Sequence, residues 1–153
     1  MSTIVLSIIT EVFYTRIAVS KDENIFYQCD IDHSKDDFIQ MDNVVDQLPF
    51  RRDAIMNRLK IDAVDIKSIQ YVVAEGGLLK PCESGVYEID KSMVGDLIDG
   101  VGGDDVINMS GLLAFTIASV LRVRSLVIDP SSVDERSEVA SFFSHPVTRK
   151  KSL

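Results

Sequence analysis

Ile4-Val5-Leu6-Ser7-Ile8-Ile9-Thr10-Glu11-Val12-Phe13-Tyr14-Thr15-Arg16-Ile17-Ala18-Val19-Ser20 is a run of seventeen residues with no glycine, proline or asparagine to interrupt it. As a single strand it would be about three times the usual length. Its apolar alternation, however, changes phase, from even positions at Leu6 and Ile8 to odd positions at Ile17 and Val19. Because successive side chains of a strand point to opposite faces, such a change implies a turn or bulge, and it falls near Thr10 to Tyr14. The run therefore reads as a hairpin of two strands, Thr3–Ile9 and Thr15–Lys21. The polar turn Lys21-Asp22-Glu23-Asn24 then leads into a third strand, Asn24–Ile31.

Helical patterns follow. One spans Lys35–Gln47, entered from Ser34 with Asp37 three residues later, and a second spans Phe50–Lys60, opened by Pro49. Ser68–Ala74 is an apolar strand that runs into Gly76-Gly77-Leu78-Leu79-Lys80-Pro81. A short strand at Val86–Ile89 precedes a helix from Lys91 to Ile98. Met109–Leu121 is apolar almost all round and predicts a buried helix, feeding a central strand Ser125–Ile128 that ends at Asp129-Pro130. Ser132-Val133-Asp134-Glu135 opens a last helical stretch towards Phe143. Three strands with short connections, then helix, strand, helix, strand, is the order of a ribonuclease-H-like α/β domain, although the order alone fits several mixed α/β folds. The expected architecture is a single five-stranded mixed sheet with the Met109–Leu121 helix packed on one face.

With 153 residues, 46% hydrophobic and 26% charged, the chain has the size and composition of one globular domain. A net charge of −8 and a pI near 4.7 argue against nucleic acid as a partner, because phosphate neutralisation needs clustered Lys and Arg. The basic cluster Arg149-Lys150-Lys151 reads as a solvated tail, so residues 1–145 are taken as the domain and 146–153 as a basic C-terminal tail. Met1–Ile9 has no basic n-region or cleavage site, and no stretch reaches the length of a membrane span, which predicts a cytoplasmic protein with no membrane contact. Cys29 and Cys82 lack C-x-x-C spacing. His33 and His145 lack paired ligands and are expected to be surface imidazoles, so no metal site is expected.

Several short segments, in order, resemble the butyrate kinases of the acetate kinase family. They are Arg16-Ile17-Ala18-Val19, Val45-Asp46-Gln47 with Phe50-Arg51, Gly76-Gly77-Leu78-Leu79-Lys80-Pro81, Gly111-Leu112-Leu113-Ala114, and Asp129-Pro130 followed by Val133-Asp134-Glu135. The Gly-Gly-Leu-Leu-Lys-Pro block is the most specific, since paired glycines, an apolar pair and Lys-Pro do not make a generic turn. The resemblance implies a ribonuclease-H-like domain of the actin-like ATPase superfamily. It implies the first of two such domains, with ATP, Mg and a carboxylate held in the cleft between them and a γ-phosphoryl group transferred to the carboxylate. The match covers that first domain only, and the chain ends where family members continue towards the second.

On this resemblance the hairpin is the decisive region. Butyrate kinases carry Asn-Pro-Gly-Ser-Thr-Ser-Thr-Lys there to wrap phosphates, and this chain reads Ile9-Thr10-Glu11-Val12-Phe13-Tyr14-Thr15-Arg16. A phosphate loop needs glycine for close backbone approach and small hydroxyls to donate. Glu11 in the glycine's place brings bulk and a charge that would repel a phosphate by roughly 4 kcal/mol at ~4 Å and an effective dielectric near 20. Thr15 and Arg16 keep the pattern and are the expected cofactor-binding residues. Glu75 stands where the family has an arginine before the glycine pair, and the family's histidine before the buried helix is lost from Asp104-Asp105-Val106-Ile107-Asn108. The resemblance assigns Gly76, Gly77 and Asn108 to substrate binding and Asp129 to catalysis. On the residues alone, Asp129-Pro130 is a strand-ending turn and the glycines are loop geometry.

These departures predict a truncated, pseudoenzyme-like domain that lacks kinase activity by itself and takes up no cofactor in isolation. Two alternatives share the fold: a split carboxylate kinase completed by another polypeptide, and a non-catalytic module that binds an intact kinase. The expected partners are a second copy of the chain, as a homo-oligomer, or a second kinase domain.

Overall fold

The computed structural model describes residues 2–77, 79 and 83–128. Strands β1 (Ile4–Thr10) and β2 (Tyr14–Lys21) pair antiparallel with Ile8 opposite Ile17 and Thr10 opposite Thr15. Even positions of β1 thus face odd positions of β2, which is the phase change seen in the sequence. Leu6, Ile8, Ile17 and Val19 all come to one face and are fully buried. The hairpin closes through the Glu11 N–H, which donates to the Tyr14 carbonyl at 2.9 Å. Strand β3 (Asn24–Asp32) adds antiparallel to β2, with a bulge at Val19/Ser20.

The helix expected over Lys35–Gln47 is not continuous. Two single 3₁₀ turns, Lys35–Phe38 and Val44–Gln47, occupy its place. Ser34 and Asp37 do form the expected reciprocal cap, but Asn43 is extended, and Asp46 draws its N–H at 3.0 Å into a second start. Short polar side chains that bond the local backbone favour such restarts over helix continuation. Helix α1 (Leu48–Ile61) then runs as expected, with Pro49 in its first turn.

Strand β4 (Tyr71–Glu75) is parallel to β1, and its predicted start is taken instead by a 3₁₀ turn at Ile66–Ser68. Next come β5 (Val86–Glu88), α2 (Lys91–Asp99), α3 (Asn108–Leu121) and β6 (Arg124–Ile128). Strand β6 lies parallel to β4, and β5 pairs antiparallel with β6 at the sheet edge. The sheet therefore has six strands and not the five expected, in the order β3-β2-β1-β4-β6-β5. The extra member is the three-residue β5, which is held by pairing with β6.

Helices α1 and α3 cover one face, α3 over β1, β4 and β6 and α1 towards β2 and β3. Leu113 and Ile117 of α3 are fully buried, as its all-round apolar sequence requires. Among the described residues no helix is long and apolar enough to cross a membrane. Asp129, the helical stretch to Phe143, Cys82, His145 and the boundary at residues 145/146 lie outside the described residues.

Candidate functional site

Because β1, β4 and β6 are parallel, their C-terminal ends at Thr10, Glu75 and Ile128 share one edge of the sheet. Ligands of open α/β sheets bind at that edge. The hairpin turn Glu11-Val12-Phe13, the Gly76-Gly77 bend and the loop leading into α3 all meet there. Thr10 Oγ1 donates to the Val106 carbonyl at 2.9 Å, and Ser110 Oγ donates to the Glu75 carbonyl at 2.6 Å, so the three segments are tied to one another.

Beneath the hairpin lies Arg51, a fully buried guanidinium. Its Nη2 donates to the carbonyls of Glu11 (2.9 Å) and Val12 (3.1 Å), and its Nη1 to the carbonyl of Tyr14 (3.2 Å) and the hydroxyl of Thr15 (2.8 Å). Its Nε donates to Gln47 Oε1 at 2.9 Å, and the group lies 5.1 Å from the Phe38 ring centroid. Among the described residues no carboxylate pairs with it. Burial pushes its pKa down to about 10, which leaves it charged at neutral pH.

His33 sits beside it and is not the surface imidazole expected. It is buried, with edge-on contacts to Phe38 and Phe50, and its Nε2 is 2.9 Å from Thr15 Oγ1. Burial, and then the Arg51 charge, lower its pKa and favour the neutral ring.

Thr15 and Arg16 are adjacent on β2 and so point to opposite faces. The Thr15 hydroxyl is fully buried between Arg51 and His33. Arg16 forms a two-pronged pair with its cross-strand neighbour Asp30, at 2.7 and 2.9 Å, on the face away from α1 and α3. This pairing raises the pKa of Arg16 and lowers that of Asp30. Gly76 and Gly77 have φ of 70° and 117°, values that favour glycine, and a Cβ on Gly77 would stand 3.2 Å from Leu97 Cδ2. Asn108 is buried at the start of α3, its Nδ2 donating to the Gly103 carbonyl at 2.8 Å. The structure thus brings Gly76, Gly77 and Asn108 to the same end of the sheet as the hairpin, while Arg16 faces elsewhere. Among the described residues no three His, Cys, Asp or Glu side chains gather as a metal site.

The sequence reading did not single out Arg51 or His33 as site residues. A signal for Arg51 was present, since it precedes Ile55 and Leu59 at intervals of four and so lies on the buried stripe of α1. For His33 no comparable pattern exists.

Butyrate kinase 2 of Clostridium acetobutylicum is 35% identical over 139 residues, covering 91% of this chain and 39% of that protein. Butyrate kinase 1 of the same organism is 35% identical over 126 residues, covering 82% of this chain and 36% of the relative. The chain resembles the N-terminal domain of the butyrate kinases. It spans about two fifths of the length of these relatives, and no family model matches it. Among solved structures, acetate kinase from Entamoeba histolytica superposes with a TM-score of 0.58 at 14% identity, covering 95% of this chain and 41% of that one. At that identity the likeness is one of fold, the expected ribonuclease-H-like α/β one. In this butyrate-kinase-like domain, the hairpin held by Arg51 is the segment expected, from the resemblance, to be the counterpart of the family's phosphate-wrapping sequence.

Proposed function

We propose that this butyrate-kinase-like domain, a cytoplasmic one, neither holds ATP nor phosphorylates a short-chain carboxylate by itself. The observation that carries this reading is the hairpin. Its turn presents the exposed Glu11 carboxylate followed by the exposed apolar side chains of Val12 and Phe13. The Thr15 hydroxyl beneath it is engaged by Arg51 and His33, and Arg16 is paired with Asp30 on the other face. ATP with Mg, the cofactor that kinship with kinases implies, does not fit such a turn. Its phosphates would meet a carboxylate in place of close backbone N–H groups and small hydroxyls.

Phosphoryl transfer rests almost wholly on positioning and charge stabilisation of the phosphates, so a cradle of this kind leaves little to catalyse with. Titration calorimetry with Mg-ATP up to a few millimolar should show no saturable heat. Acyl phosphate trapped as hydroxamate from acetate, propionate or butyrate should stay at the no-enzyme level. Glu11→Gly combined with Phe13→Thr and Tyr14→Ser should raise phosphate affinity. Saturable ATP binding or hydroxamate formation by the unmodified chain would overturn the reading.

A further inference from the structure

We propose that His33 is a pH-sensitive latch: as a neutral ring it fastens the turn Lys35–Phe38 to the hairpin and to α1, and its protonation releases that turn. Parts of the fold that lie far apart in the chain meet at this ring. Its Nε2 is 2.9 Å from the Thr15 hydroxyl of β2, and its backbone N–H donates to the Phe13 carbonyl of the hairpin at 2.7 Å. The ring meets Phe38 of the turn and Phe50 of α1 edge-on, with centroids 5.6 and 5.5 Å away, and those two rings meet each other at 5.5 Å. Phe38 also lines a groove of about 450 Å³ beside the hairpin, together with Val12, Phe13, Lys35 and Asp104. One titration at His33 can therefore act on the hairpin, the turn and the groove together.

The hydrogen bonds make the charge of the ring decisive. Arg51 Nη1 donates to the Thr15 oxygen at 2.8 Å, and a guanidinium can only donate. The proton of that hydroxyl is then free for His33 Nε2, which accepts it only in the neutral ring. A proton on Nε2 removes the acceptor and sets a second buried cation against the same oxygen. Arg51 is not the side that yields, because it stays charged and is also held by three hairpin carbonyls and Gln47. The carboxylates acting on His33 are Asp32 of β3 and Asp37 of the turn, both exposed, and the turn's Lys35 is exposed as well. A protonated imidazole gains by moving outward to water and these carboxylates, and the turn capped by Ser34 moves with it. Burial, and then Arg51, lower the pKa of the enclosed ring, while Asp37 and Asp32 raise it to a lesser degree. The closed form is thus favoured at neutral pH and gives way as the pH falls below 6.5, the ordinary value of the released ring.

The experiment is nitrogen-15 NMR on the full chain between about pH 7.5 and 5, a window that brackets the titration of a histidine. Imidazole nitrogen shifts report the tautomer and charge of His33. Amide exchange, corrected for its intrinsic pH dependence, reports the opening of single hydrogen bonds. At the upper end of the window the ring should be neutral with its proton on Nδ1. As the pH falls below 6.5, protection of the His33 amide, which bonds Phe13, should drop by up to about tenfold per pH unit. That protection should stay below that of the central strand β4, because the turn opens while the sheet is intact. In His33→Gln the same amide should change by less than about twofold over this range. The wild-type titration decides the proposal even if the variant folds poorly. A neutral ring with its proton on Nε2, a His33 amide as protected as β4 throughout, or a wild-type protection that does not fall with pH would overturn the latch. So would a folded His33→Gln with the pH dependence of the wild type.

Discussion

A buried guanidinium without a carboxylate is held by the dipoles it touches, and Arg51 touches three hairpin carbonyls, one hydroxyl and one amide oxygen. Arg51→Met would relieve the burial of a charge but leave those carbonyls without their donor, and the second effect is the larger. The variant should lose about 2–4 kcal/mol of unfolding free energy in urea, with Arg51→Lys recovering less than half, because an ammonium cannot span the fork. His33 adds a pH dependence. Its folded pKa lies below the ordinary value near 6.5, so between the two values the unfolded chain binds more protons and stability falls as the pH drops. The loss begins near pH 6.5, with a slope of at most ~1.4 kcal/mol per pH unit, and levels off once the folded ring also protonates. The carboxylates Asp30, Asp62 and Glu88, whose pKa values are lowered by Arg partners, and in Asp62 first by the Tyr27 hydroxyl, act at lower pH. Denaturant midpoints of the wild type and His33→Gln should therefore diverge between pH 6.5 and 5, the wild type falling faster.

Helix α2 sets Leu97 deepest into the core, with Met93 and Val94 partly buried against it. Leu97 is buried between two glycines, Gly77 after β4 and Gly111 on α3. A Cβ at Gly111 would come within 2.8 Å of Leu97 Cδ1, closer than side-chain carbons pack. Alanine improves helix propensity by about 1 kcal/mol, while crowding a filled core costs about 1–3 kcal/mol. Gly111→Ala should thus be destabilising by about 1 kcal/mol, read as a lower urea midpoint at constant slope. An increase in stability would show that Leu97 has room to move. The same glycines appear in two of the blocks that carried the family resemblance, and local sequence could not say that both pack on Leu97. It also misread Lys35–Gln47, because a cap at Ser34 signals a start and says nothing about how far a helix continues.

Across the whole molecule, the parallel strands β1, β4 and β6 align their ends, and that alignment gathers the hairpin, the glycine bend and the start of α3 at one edge. The sequence by itself determined the hairpin, the buried α3 and the mixed α/β order. Each of these is written in local periodicity, phase and capping that neighbouring residues enforce on one another. The proposed loss of phosphate binding at the hairpin also rests on the sequence, because glycine and hydroxyl requirements attach to single positions. Only the tertiary structure decided that β5 joins the sheet, that His33 is buried and that Arg51 holds the hairpin from below. It also brought Lys35 and Asp104, far apart in the chain, to the lining of one groove. These are pairings between residues far apart in the chain, and their free energy arises from burial and hydrogen-bond satisfaction that no local stretch encodes.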